Sequence, residues 1–253
     1  MAEIICFAQS KGGTGKTSST LNIAAVLVEK GYRVLVCDLD QQSNLTISLG
    51  INPLDCEINT YNLLTEASAT AKDAIVSTTE KVDLLPAHPD LALVEYKMPS
   101  VAREKQLARK LNPIAKNYDF ILLDTAPSLG IATLNALCAA SWLFIPTQPE
   151  PLCVYGLNML IDQMENVRTE SNPNLDLLGL FITFYDARSK AHKEIERGLR
   201  EQWEGQIFKS VIKRRNSILE TTLEGKSIIS LRSESDLAKE YRALTEEMIK
   251  RVQ

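Results

Sequence analysis

The chain has 253 residues, 45% of them hydrophobic and 24% charged, and its 28 Lys and Arg against 32 Asp and Glu leave a formal net charge of −4. This composition excludes a disordered or fibrous chain and a surface coated in positive potential, so any contact with nucleic acid must come from a local basic face. Five cysteines and two histidines stand in no metal-ligand spacing, which argues against a structural zinc site.

The chain opens on the apolar run "IICFA", a predicted strand, with no charged leader and hydrophobic core of a signal segment before it. No apolar run approaches the roughly 20 residues of a membrane span, so the expected location is the cytoplasm. After a glycine-rich turn comes a helical pattern over 16–30. "RVLVCDLD" follows as a second strand, then a helix over 43–49. The stretch 52–80 has the weakest periodicity, with turn signals at "NP" and short helical pieces, and reads as a surface excursion. "VDLLPA", "FILLDTA", "WLFIPTQ", "LLGLFITFYD" and "IFKSVI" are further strands, each followed by a helix-like stretch, the first of them over 101–117. The closing "SDLAKEYRALTEEMIKRVQ" puts Leu237, Tyr241, Leu244 and Met248 on one helical face, with mixed charges elsewhere. Cys6, Cys37 and Cys138 fall in apolar runs and read as small core residues. Continuous apolar strands alternating with helices predict an α/β fold: a doubly wound, mostly parallel sheet flanked by helices, expected to form one domain over 1–253. Such folds place their sites at the carboxyl ends of the strands. There the sequence offers Lys11 to Ser18, Asp38 and Asp40, Asp124, and Asp186 with Arg188.

"QSKGGTGKTS" joins the first strand to the first helix. Its backbone N–H groups, Gly12, Gly13, Thr14 and Gly15 among them, can converge on a phosphate at the positive end of a helix dipole. In the P-loop pattern Lys16 reaches the β- and γ-phosphates and the Thr17 hydroxyl holds Mg²⁺, with Ser18 completing the turn. Ser10 stands where the strict pattern has its first glycine. Asp38 and Asp40 end the second strand two residues apart, on the same side, and either can act near the phosphates or serve as a turn carboxylate. Asp124 ends "FILLD", where P-loop proteins deliver a carboxylate to the Mg²⁺ shell. Together these features predict an ATP and Mg²⁺ site.

The blocks "KGGTGKTSSTLNIAAVLVEKGYRVLVCDLDQQSNLT", "YDFILLDTAPSLGIATLNAL", "IPTQPEPLCVYGL", "TFYDARSK" and "LEGKSI" give the chain, nearly end to end, a resemblance to the ParA/MinD branch of P-loop ATPases, specifically the ParA-type partition ATPases. That branch uses K-G-G-x-G-K-[ST], which accounts for Ser10. The resemblance implies that Lys11 crosses a dimer interface to the neighbour's nucleotide while Lys16 serves its own. It implies that Thr17 ligates Mg²⁺, that Asp124 supports it through water, that Asp40 orients the attacking water, and that Asp38 helps hold Mg²⁺ or the loop. Gln41 departs from the proline common after Asp40. No arginine finger in cis is evident, so hydrolysis is expected to be slow and raised by a partner.

Between Thr183 and Arg232 eleven basic residues face seven acidic ones, a local excess of +4. The resemblance implies an ATP-bound homodimer that binds DNA without sequence preference through Arg188, Lys213, Arg214 and Arg215. It also implies a ParB-like adaptor, a nucleoid-associated location in a bacterial cytoplasm, and adenine contacts after Phe184 and near Arg214. A MinD-like ATPase ends in a basic helix lying on lipid; the mixed charge of the tail here predicts packing on the domain and no stable membrane association. A nitrogenase-type iron protein would need a cysteine beside Asp124, and the later blocks fit a dethiobiotin synthetase poorly. With its first strand at Glu3, the chain is expected to be the short ParA type, without a helix-turn-helix extension.

Overall fold

The apolar runs become the strands of one eight-stranded sheet. The structure is a computed structural model that describes residues 2–215 and 224–253; Glu220 of the charge count and Leu223 of "LEGKSI" lie outside the described residues. In chain order the elements are β1 (Glu3–Phe7), α1 (Lys16–Glu29), β2 (Val34–Leu39), α2 (Asn44–Ser48), α3 (Thr60–Thr65), α4 (Ala71–Ala74), β3 (Val76–Ser77) and β4 (Asp83–Leu85). There follow α5 (Val94–Lys97), α6 (Gln106–Ala115), β5 (Phe120–Thr125), α7 (Ile131–Ala139), β6 (Trp142–Thr147), α8 (Pro151–Glu170), β7 (Asp176–Tyr185), α9 (Lys190–Gln202), β8 (Ile207–Lys213), α10 (Ile228–Leu231) and α11 (Asp236–Val252). The strand order is β3-β4-β2-β5-β1-β6-β7-β8. Every pairing is parallel except the short β3–β4 edge.

Side chains alternate across each strand, and both faces are dry, which is why the strands read as unbroken apolar runs. Cys6, Leu35, Cys37, Ile121 and Leu123 point to one face, covered by α3, α6, α7 and α8 through Leu63, Leu64, Leu107, Leu111, Leu137 and Leu157. Ile5, Phe7, Val36, Leu122 and Phe144 point to the other, covered by α1, α10 and α11. Phe144 sits at the centre of that second layer, its ring centroid 4.4 Å from Phe181, 4.7 Å from Phe208 and 5.6 Å from Phe7. The closing helix lays Leu237, Tyr241, Leu244 and Met248, all buried, on this layer. At roughly 1.5–3 kcal/mol per buried large side chain, these four residues fix the tail to the domain.

The stretch 52–80 departs from the expected surface excursion. Its helices α3 and α4 are six and four residues long, and they bury Leu63, Leu64, Ala71 and Ala74 in the first core layer. Elements this short complete too few turns to display a helical period, although Asn59, whose side chain caps α3 reciprocally with Asn62, is a legible start signal.

β8 is a sheet edge, and its outward backbone groups are met by charged side chains. Glu247 accepts from the N–H of Lys209 and Ser210, Glu240 from that of Lys213, and Arg251 and Arg200 donate to the carbonyls of Ile207 and Phe208. An edge occupied this way offers no template for a further strand.

One extra residue bulges β7 against β6: Leu143 pairs with Leu177 and Phe144 with Gly179. Gly179 lies at φ +141, and a Cβ there would come within 2.2 Å of the Gln206 carbonyl oxygen. Gly179→Ala is therefore expected to destabilise the fold by about 3 kcal/mol. Gly198→Ala in α9, where an added Cβ meets nothing within 4 Å, is expected to stabilise it by about 0.5–1 kcal/mol. Urea denaturation of the two variants beside the parent measures both.

Candidate active site

β1 runs into a turn that opens α1, and the turn has the backbone its glycines permit: Gly13 at φ +71 and Gly15, the residue before the helix, at φ +87. A side chain at Gly15 would be strained at that φ and would also approach the Phe184 ring to 3.2 Å. The loop is tied to β7 by the Thr183 hydroxyl, which donates to the Thr14 carbonyl at 2.8 Å. Around it lies a cavity of about 390 Å³ lined by Gly13 to Ser18, Asp40, Gln42, Asn44, Ser48, Pro127 and Phe184. Phe184 holds φ +51, an unusual backbone for a bulky residue at the end of a strand. Nothing in its sequence context signals this.

The two lysines of the loop are held differently. Lys16 is 6% exposed, and its ammonium donates to the Gln9 carbonyl at 3.1 Å. Burial lowers its pKa, opposed by the charges of Asp124 and Asp40. Lys11 stands at the mouth, ion-paired with Glu150 and donating to Gln148 Oε1 at 3.1 Å; the Gln148 amide in turn donates to the Gly13 carbonyl at 2.6 Å. The acidic partner raises the Lys11 pKa.

Parallel register brings the acids together. Asp124 of β5 is the ladder partner of both Phe7 and Asp38. Asp38 is fully buried and has both oxygens in use: Oδ2 accepts from the Thr46 N–H at 2.9 Å and the Thr46 hydroxyl at 2.8 Å, and Oδ1 accepts from the Asp40 N–H at 3.1 Å. Burial first of all pushes its pKa up to about 6, against those hydrogen bonds. These hydrogen bonds fit the loop-holding half of the expectation that Asp38 helps hold Mg²⁺ or the loop. Asp40 is 7% exposed; its Oδ1 accepts from the Gln42 N–H at 3.0 Å.

Asp124 is different. It is fully buried, and neither carboxylate oxygen has a hydrogen-bond partner among the described residues. Burial, and then the neighbouring Asp38, drive its pKa well above the usual carboxylate range, with Thr17 and Lys16 acting the other way. An unpaired buried carboxylate is costly, and a cation beside it and Thr17 removes the cost. The residues present thus fit Mg²⁺.

Gly12, where an added Cβ would meet the Pro127 ring at 3.8 Å, and Ser18 complete the loop. Arg188, Lys213, Arg214 and Arg215 are also brought together, around a separate cavity of about 390 Å³ with Tyr185, Asp186 and Ala187. Three of the four carry acidic partners: Arg188 pairs with Asp186, Lys213 with Glu240, and Arg215 with Asp236 and Glu240. Arg214 has no ion pair among the described residues. Asp236 and Glu240 come from α11, far along the chain, so a local charge count misses them.

Residues 2–177 match a family model described as an AAA domain. The chain is 36% identical over 250 residues to the sporulation initiation inhibitor protein Soj of Bacillus subtilis, covering 98% of each chain. It is 38% identical over 251 residues to the chromosome-partitioning ATPase Soj of Thermus thermophilus, covering 98% of this chain and 96% of the relative. Among solved structures, cobyrinic acid a,c-diamide synthase from Mycobacterium smegmatis with bound ADP and magnesium superposes with a TM-score of 0.86 at 31% identity, over 99% of this chain and 95% of the other. The chain belongs to the ParA-type P-loop ATPases. The cofactors of this ParA-type chain are ATP and Mg²⁺, in agreement with the unpaired Asp124. Among the described residues no helix is long and apolar enough to cross a membrane.

Replacing Asp124 by Asn removes the buried ionisable carboxyl group. The nucleotide-free variant is expected to melt several degrees above the parent, at about 2–4 °C per kcal/mol for a chain of this size, and to gain less from added ADP with Mg²⁺. Thermal melts with and without Mg²⁺ test this, and equal Mg²⁺-dependent shifts in both proteins would count against the assignment.

Proposed function

We propose that the chain is a single ATPase domain working as an ATP-dependent dimerising switch, which binds DNA without sequence preference when paired. In this reading it positions or segregates cargo such as a plasmid, a chromosome or a large protein body, and a ParB-like adaptor stimulates its slow hydrolysis. Its place of work is the bacterial cytoplasm, on the nucleoid. The observation that carries the reading is the division between the two lysines. Lys16 is buried in its own loop, whereas Lys11 is parked at the mouth on Glu150, a second cation that its own loop does not use.

The chemistry follows from these positions. The loop N–H groups and Lys16 bind the triphosphate, and Thr17 and Asp124 would hold Mg²⁺, which neutralises phosphate charge when bound. Asp40 orients the attacking water, its free oxygen available because Gln42 occupies only the other. Lys11 leaves Glu150 for the neighbour's phosphates, so that pairing requires ATP. The absence of a cis arginine among the residues lining the cavity supports a weak basal rate. Similarity to the Soj proteins supports the positioning role.

Light scattering with ATP, ADP or no nucleotide, using Asp40→Ala to block turnover, is expected to give a dimer with ATP and Mg²⁺ alone. Lys11→Ala is expected to stay monomeric under every condition. A pairing that survives Lys11→Ala would sink the switch.

DNA contact falls chiefly to Arg214, the one cation of its cluster without an acidic partner among the described residues. Arg214→Ala is expected to weaken binding about equally across sequences and to reduce the salt slope by about one unit per lost phosphate contact. Lys213→Ala should cost less. Fluorescence anisotropy over a salt series, with ATP and with ADP, measures both, and equal affinity in the two nucleotide states would contradict the proposal.

A further inference from the structure

We infer that Thr46 is a positioning residue for Asp40, acting through Asp38, so that the second-strand carboxylate is a clamp on the catalytic loop. The inference rests on the reading of Asp40 as the residue that orients water.

The Asp38 carboxylate lies at the end of β2, fully buried, and grips the following segment at two points. One oxygen holds the N–H of residue 40; the other holds both the N–H and the hydroxyl of residue 46. The segment between is thereby pinched into a closed turn. Within it the Ser43 N–H donates to the Asp40 carbonyl at 2.8 Å, the Gln42 N–H to the Asp40 carboxylate, and Ser43 takes φ +53. A non-glycine residue in that region is disfavoured and persists only where its surroundings over-determine it. The two-point grip is that over-determination.

Thr46 closes the clamp because its hydroxyl works in both directions. It donates to Asp38 and accepts from the Ala87 N–H at 3.0 Å, just beyond β4. The Thr60 hydroxyl donates to the Asp38 carbonyl at 2.9 Å from the start of α3. Asp40 is thus referenced to two neighbouring elements, β4 and α3, rather than hanging on a free loop. Valine at position 46 keeps the shape of threonine and removes the hydroxyl, leaving the Ala87 N–H without its acceptor and Asp38 with two donors instead of three. Asp40 then loses its fixed orientation, while the phosphate loop, Lys16 and Thr17, which hang from β1 and α1, keep theirs.

The test is single-turnover ATP hydrolysis with Mg²⁺ by the full chain. Thr46→Val is expected to lower the rate about 10- to 100-fold, the scale of a small misplacement of a catalytic group, with ATP affinity and ATP-dependent pairing within about twofold of the parent. Thr46→Ser, which keeps the hydroxyl, is expected to restore at least half the rate. The double variant Asp40→Ala with Thr46→Val should be no slower than Asp40→Ala alone. If Thr46→Val melts below the assay temperature, Thr46→Ala against Thr46→Ser carries the same hydroxyl contrast. Asp40→Ala collapsing while the hydroxyl-free variants turn over normally overturns the clamp and leaves the Asp40 reading standing. Asp40→Ala turning over normally overturns the reading on which both rest. A loss of ATP affinity equal to the loss of rate would make Thr46 structural only and overturn the inference.

Discussion

The buried charge imbalance at the carboxyl ends of β2 and β5 is the constraint around which the molecule is arranged. Parallel register makes Asp38 and Asp124 ladder partners, Asp40 follows two residues on, and among the described residues Lys16 is the one buried cation that faces them. Carboxylates this close cannot all be ionised in a dry interior without compensation. The polypeptide satisfies Asp38 with three donors and half-satisfies Asp40 with one, leaving Asp124 bare. In the proposed reading that graded satisfaction matches three roles: the fully bonded acid shapes the loop, the bare one suits Mg²⁺, and the half-bonded one keeps an oxygen for water.

The same arrangement bears on the phosphate loop. Lys16 lies over its own loop on the Gln9 carbonyl, its pKa lowered by burial against the pull of Asp124 and Asp40. Nucleotide with Mg²⁺ would bring anions to the lysine and a cation to Asp124 at once, relieving both strains together. Lys11 starts from a different balance, in a half-exposed pair with Glu150 whose net worth is small. In the proposed reading a triphosphate from a second copy competes only with that weak pair, so the switch needs little energy to throw.

The sheet was legible in the sequence because both its faces are dry. Strands such as "FILLDT" carry apolar side chains on each side, and the strand-turn-helix order of the phosphate loop follows from glycine spacing alone. In the segment 52–80 the short helical pieces were legible but not their burial, since α3 and α4 are too short to show which face is apolar. Within the site, Lys16, Thr17 and Asp124 could be found from their places at strand and helix ends. The difference between Asp38 and Asp124 could not, because it is decided by Thr46, a residue eight positions from Asp38 and without a motif. Nor could the left-handed backbone of Phe184, whose ring borders the phosphate loop at Gly15.

The basic face shows the same kind of tertiary decision. Glu240 accepts the Lys213 N–H at the sheet edge and pairs with Lys213 and Arg215 as well, so it guards the strand and discharges the cations in one contact. Counting Arg188, Lys213, Arg214 and Arg215 against Asp186, Asp236 and Glu240, four cations against three acids, the cluster keeps a single net positive charge. In the proposed reading a phosphate backbone must therefore displace carboxylates at three of the four positions, and Glu240 cannot swing away without uncapping β8. In that reading one copy would bind DNA weakly. Two copies held by nucleotide would present two such faces to one duplex, and the second contact would become intramolecular at an effective concentration set by the dimer. The neutralised face is what makes that difference usable as a switch: four unpaired cations would hold DNA in the monomer too, and the nucleotide state would no longer decide whether the protein is bound.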